Sequence, residues 1–136
     1  MGLFEIIGES FNPGSTGSVG IGGRRRPPRS GSERMARFVI ASILLLGSVT
    51  GLCYMVWPLT LTALAAIFGG LALYLVLGYF VRPRADTENL GLAGGLFDNP
   101  FRYSDDINRF LLFFQIVLWP GRFIGESYVD FFRGGE

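Results

Sequence analysis

From Phe38 to Val81 the chain carries no charged side chain, a run of 44 residues dominated by Leu, Ile, Val, Ala and Gly. A helix that crosses a bilayer needs about 20 such residues. One straight helix over the whole run would measure about 66 Å, twice the hydrocarbon thickness. The run is therefore expected to fold back on itself. The break falls at Trp57-Pro58-Leu59-Thr60, because Pro58 lacks an N–H and disfavours helix at the residue before it. Two spans are predicted, 38–57 and 59–81, joined by a tight turn. Tyr54, Trp57 and Thr60 suit the membrane–water boundary there. Neither segment shows the polar stripe that a soluble helix of this length carries. The expected fold class is an all-α membrane protein. It comprises a two-helix transmembrane hairpin, N- and C-terminal amphipathic or interfacial helices, and an extended Gly/Pro/Arg-rich linker.

The flanking segments are more polar. Residues 1–11 place Phe4, Ile7 and Phe11 at amphipathic helical spacing. Residues 12–37 are rich in Gly, Ser, Pro and Arg and read as a linker. A connector follows the second span over 82–103. Cytoplasmic helices that lie on the membrane or dock on a partner are expected over 104–133. Ser104 or Asp105 can cap the first of them, and Pro120-Gly121 is expected to stop it after Trp119. Its apolar residues include Phe110, Phe113, Phe114 and Trp119, with Asn108, Arg109 and Gln115 as a thin polar stripe. The last helix sets Ile124, Tyr128, Phe131 and Phe132 on one face, with Arg122, Glu126, Asp130 and Arg133 largely on the other. These aromatic and aliphatic residues of the arms are the candidate docking residues.

Charge adds an orientation. Arg24, Arg25, Arg26, Arg29, Arg34 and Arg37 precede the first span, Arg82 and Arg84 follow the second, and the turn has no charge. The positive-inside rule puts both termini in the cytoplasm. The same arginines are candidates for attraction to anionic lipid. A nucleic-acid partner is not expected, because the basic patch is short, lies against the bilayer and has no interleaved aromatics. A cleaved signal peptide is not expected either. All 12 positive residues are Arg, and the absence of Lys points to a GC-rich bacterial genome and hence to a bacterial inner membrane.

Composition excludes much chemistry. Charged residues are only 17% of the 136, and mean hydropathy is +0.39. There is no His, so no imidazole base and no His ligand for zinc, haem or pigment. The lone Cys53 sits in the apolar run and reads as a small buried hydrophobe. Asp105-Asp106 reads as a helix N-terminus rather than a metal site. No catalytic, cofactor or metal residues are identified, and bound lipid is the one small-molecule class expected. No ionisable residue lies in either span, which argues against a transporter or pump.

Small residues offer helix-packing faces: Gly47 and Gly51 in the first span, and Thr62, Ala66 and Gly70 in the second. They can serve the hairpin itself or a helix of another subunit. One echo links the two ends, Ile7-Gly8-Glu9-Ser10-Phe11 and Ile124-Gly125-Glu126-Ser127-Tyr128. It reads either as coincidence in a Gly-rich chain or as two ends docking on a symmetric or repeating partner. The expected function is a non-catalytic accessory subunit that braces or assembles larger integral membrane subunits. A membrane-shaping hairpin is the alternative. A small channel or enzyme component ranks third, because no polar constellation supports it.

Overall fold

The computed structural model describes residues 15–22, 29–86 and 103–134. Five elements run in the order β1 (Ser18–Ile21), α1 (Gly31–Met55), α2 (Leu61–Phe80), β2 (Val81–Arg84) and α3 (Tyr103–Arg133). The helices account for 77% of the described residues, so the molecule is mostly helical, in keeping with the all-α class. The segment with Phe4, Ile7 and Phe11, the arginines Arg24, Arg25 and Arg26, and most of the 82–103 connector lie outside the described residues. So do the side chains of Ser104 and Asp105.

The elements form two compact units. One contains α1, α2 and α3 from Leu118 onward. The helix α1 starts well before the uncharged run. Ser30 makes that start possible, since its hydroxyl accepts a hydrogen bond from the Glu33 N–H at 3.3 Å. Glu33 in the first turn complements the helix dipole and pairs with Arg29 at 3.0 Å. The helix ends at Met55, with the Val56 N–H donating to the Leu52 carbonyl. The Trp57–Pro58 peptide is cis. Thr60 then starts α2, its hydroxyl accepting from the Ala63 N–H at 3.1 Å. Both helices therefore lose a residue or two at the turn relative to the predicted spans 38–57 and 59–81, because caps rather than hydropathy set the ends.

On α1 the less exposed positions include Arg34, Phe38, Ala41, Leu45 and Val49; on α2 they include Leu64, Ile67, Leu71, Tyr74 and Gly78. Steps of three and four residues make each set one stripe. Most of the other positions on both helices are exposed. Only 6% of the most apolar stretch of α1 and 11% of that of α2 is buried. Both helices are long and apolar enough to cross a membrane. A core helix of a water-soluble domain would be mostly covered.

The other unit contains β1, β2 and α3 through Val117. The strands pair antiparallel, Ser18 opposite Arg84, Val19 opposite Pro83, Gly20 opposite Arg82 and Ile21 opposite Val81. This ribbon falls in segments that composition marks as linker and connector, and four-residue strands leave no period to read. Antiparallel pairs alternate between hydrogen-bonded and non-bonded. Pro83 has no N–H, so it fits the non-bonded class opposite Val19, and a ribbon of two edge strands tolerates it.

The helix α3 runs unbroken through Pro120, where the sequence pattern expects one helix to stop and another to begin. Proline removes one rung and crowds the carbonyl four residues earlier. Here the next amide has an outside partner: the Gly121 N–H donates to the Tyr74 hydroxyl at 3.1 Å. That contact comes from a residue far away in sequence, which local propensity cannot anticipate.

Candidate functional site

Three surfaces are built well enough to carry function. The first is the seat of α3, from Leu118 onward, against α1 and α2. On the α2 side it is made of glycine. A Cβ on Gly78 would meet the Arg122 backbone nitrogen at 2.7 Å and the Gly121 carbonyl carbon at 2.8 Å. A Cβ on Gly121 would lie 2.8 Å from the Tyr74 ring, and one on Gly125 would lie 3.3 Å from Tyr79. Three glycines thus let two helix backbones approach closely, the arrangement that small residues at four-residue spacing provide.

On the α1 side the seat is aromatic. Phe38 stacks on Phe131 with ring centroids 4.2 Å apart, and meets Tyr128 edge-on at 5.0 Å. Such pairs contribute about 0.5–1.5 kcal/mol each beyond the area they bury. The Tyr128 and Ser42 hydroxyls are hydrogen-bonded at 3.0 Å. The Arg37 guanidinium lies over the Phe123 ring, 4.7 Å from its centroid. Arg29 forms an ion pair with Asp130. Ile124, Glu126 and Ser127 are buried in this seat.

The second surface surrounds Asn108, which is 1% exposed. Its Oδ1 accepts from the Gly17 N–H at 2.8 Å and from the Asp86 N–H at 3.1 Å, and its Nδ2 donates to the Ser15 carbonyl at 3.0 Å. Ser15 also hydrogen-bonds the Asp86 carboxylate through its hydroxyl. One amide therefore joins the residues just before β1 to Asp86, two residues after β2. Gly17 is required there, since a Cβ would lie 2.0 Å from the Arg84 carbonyl oxygen.

The third surface is what remains outward. Phe110 is 63% exposed, Phe113 60% and Ile116 72%, with Phe114 and Val117 also exposed. Trp119 and Phe132 are exposed as well. Gly47, Gly51 and Gly70 have open space where a Cβ would stand, and Thr62 and Ala66 are exposed.

The candidate docking residues therefore divide. Ile124, Tyr128 and Phe131 pack on the chain's own helices, while Phe110, Phe113, Phe114, Trp119 and Phe132 face out. The small-residue faces of both apolar helices lie outside the contact between those helices. Of the Arg candidates, Arg29 and Arg37 are engaged in the seat, Arg34 and Arg82 are half-buried, and Arg84 is exposed. Sequence reasoning missed Gly78, Gly121, Gly125, Tyr74 and Asn108. The Gly121–Gly125 spacing is a readable signal; Tyr74 and Asn108 leave none. The second copy of the echo, Ile124 to Tyr128, is part of the seat, and the first copy lies outside the described residues.

Among the described residues no group of three or more His, Cys, Asp or Glu side chains could hold a metal. The polar groups brought together around Asn108 bind one another and present no reactive constellation. Comparison with protein-family models, with curated proteins and with solved structures finds no match.

Proposed function

We propose that this chain is a non-catalytic accessory subunit of a larger membrane complex, anchored by a two-span hairpin in a bacterial inner membrane with both termini cytoplasmic. One observation carries the topology. The strand β1 precedes α1 and β2 follows α2, yet the two pair residue for residue. Paired strands lie on one side of a bilayer, so the chain between them crosses an even number of times. The uncovered helices supply the two crossings. Eighteen residues from Phe38 to Met55 and the 20 of α2 give about 27 and 30 Å at 1.5 Å per residue, close to the hydrocarbon thickness. Arg29, Arg34, Arg37, Arg82 and Arg84 stand at one end of the hairpin sequence, and Tyr54 and Trp57, both exposed, at the other.

The bracing role rests on what faces out. The small-residue faces at Gly47 and Gly51, and at Thr62, Ala66 and Gly70, suit close approach by helices of a neighbouring subunit. The spans hold no ionisable side chain that would mark a substrate or ion path.

Two measurements test the proposal. In a Cys53→Ala background, Leu59→Cys should react with a membrane-impermeant maleimide from outside intact cells, and Arg84→Cys only after permeabilisation. Equal labelling of both sites refutes the topology. Purification from native membranes in mild detergent should return the chain with a larger integral membrane protein at fixed stoichiometry. A chain that purifies alone and tubulates vesicles favours the membrane-shaping alternative and defeats the accessory role.

A further inference from the structure

We infer that the outward face of α3 before Leu118 — Phe110, Phe113, Phe114 and Val117 — is seated among the acyl chains of one leaflet of the bilayer. The inference rests on the two-crossing reading above. The opposite side of this helical segment is already committed: Asn108 and Leu111 are buried. The outward side is fixed in direction by that packing, and its rings cluster with each other, Phe110 on Phe114 at 4.8 Å and Phe113 on Phe114 at 6.0 Å.

Length and connectivity select the occupant. Phe110 to Val117 would measure about 12 Å as helix, too short to cross a bilayer. Val81 follows Phe80, the last residue of α2, directly. A four-residue strand reaches about 13 Å. The chain therefore holds Arg84 close to the headgroups, and Arg84 is exposed. A guanidinium at that level matches lipid phosphate. Gln115 is the only polar side chain between Phe110 and Val117. A protein partner's surface typically offers about one hydrogen bond per 100–200 Å² of interface. This face gives it almost nothing to bond, whereas acyl chains ask for nothing.

The test is spin-label accessibility on the full-length chain in phosphatidylcholine–phosphatidylglycerol vesicles. Single labels go at Phe113→Cys, Val117→Cys, Leu111→Cys, Leu46→Cys and Arg84→Cys, each in the Cys53→Ala background. Labels at 113 and 117 should collide with oxygen far more than with a water-soluble nickel chelate, several-fold above the ratio at Arg84→Cys. Leu111→Cys should be shielded from both, which reports that the segment has kept its fold. High nickel access at 113 and 117 overturns the inference in favour of water. Shielding from both probes at 113 and 117 overturns it in favour of a protein contact. A lipid signature at Leu46→Cys, whichever of these results appears, keeps the failure of this inference separate from failure of the two-crossing reading.

Discussion

Two glycine pairs with the same spacing behave in opposite ways. Gly47 and Gly51 on α1 look onto open space, while Gly121 and Gly125 on α3 lie against Tyr74 and Tyr79 of α2. The difference lies in the neighbours. The pair on α3 meets a helix that offers its own glycine, Gly78, and a tyrosine hydroxyl for the Gly121 amide. Among the described residues the pair on α1 has no such counterpart. Four-residue spacing therefore permits close approach without causing it; a partner of matching shape and a hydrogen bond to satisfy decide where it happens. The pair left open is the one the proposed accessory role assigns to a neighbouring subunit.

Substitutions can break this comparison, beginning with the strongest. Gly78→Val places carbon against backbone atoms that have no flexible end to move. Overpacking of this kind costs about 3 kcal/mol, and α3 should lose its seat, read as a large fall in the unfolding midpoint in detergent and new protease cleavage near Pro120. Phe38→Ala removes the stack on Phe131 and the edge contact with Tyr128. A loss of about 2 kcal/mol is expected for a half-buried ring, measured by the same unfolding midpoint. Tyr74→Phe keeps the ring against Gly121 and removes only the acceptor of its amide. The expected loss is about 1 kcal/mol, and amide hydrogen exchange at Gly121 should accelerate. Gly47→Leu should change the chain's own stability by less than about 0.5 kcal/mol while abolishing fixed-stoichiometry co-purification. A Gly47→Leu variant that unfolds would show that this pair serves the chain's own packing after all.

The spans were legible because their signal is collective: dozens of uncharged side chains outweigh any single exception. The caps that end them were partly legible, since Ser30 and Thr60 are ordinary capping residues, but hydropathy alone put the boundaries elsewhere. The ribbon was not legible. Its strands are four residues long, and Pro83 in one and Gly20 in the other argue against strand locally. Continuity of α3 was not legible either, because Pro120-Gly121 is a helix stop by every local rule and is overridden by Tyr74. The docking candidates divide in a way the sequence did not reveal: Phe110 and Phe113 are outward, whereas Tyr128 and Phe131 pack on Phe38, a residue that reads in sequence as merely the first of the apolar run.

On the proposed two-crossing topology the ribbon has a consequence for biogenesis. Its first strand is synthesised before either apolar helix and its second only after both. On that topology, Ser18 to Ile21 have no complementary backbone on their own side of the bilayer until α2 has crossed it. A chain with one helix left outside would hold the strands on opposite faces, their amides and carbonyls unmatched. If the chain is so inserted, closure of this small clasp is a chemical record that insertion has finished, written in hydrogen bonds that an incompletely inserted chain cannot form.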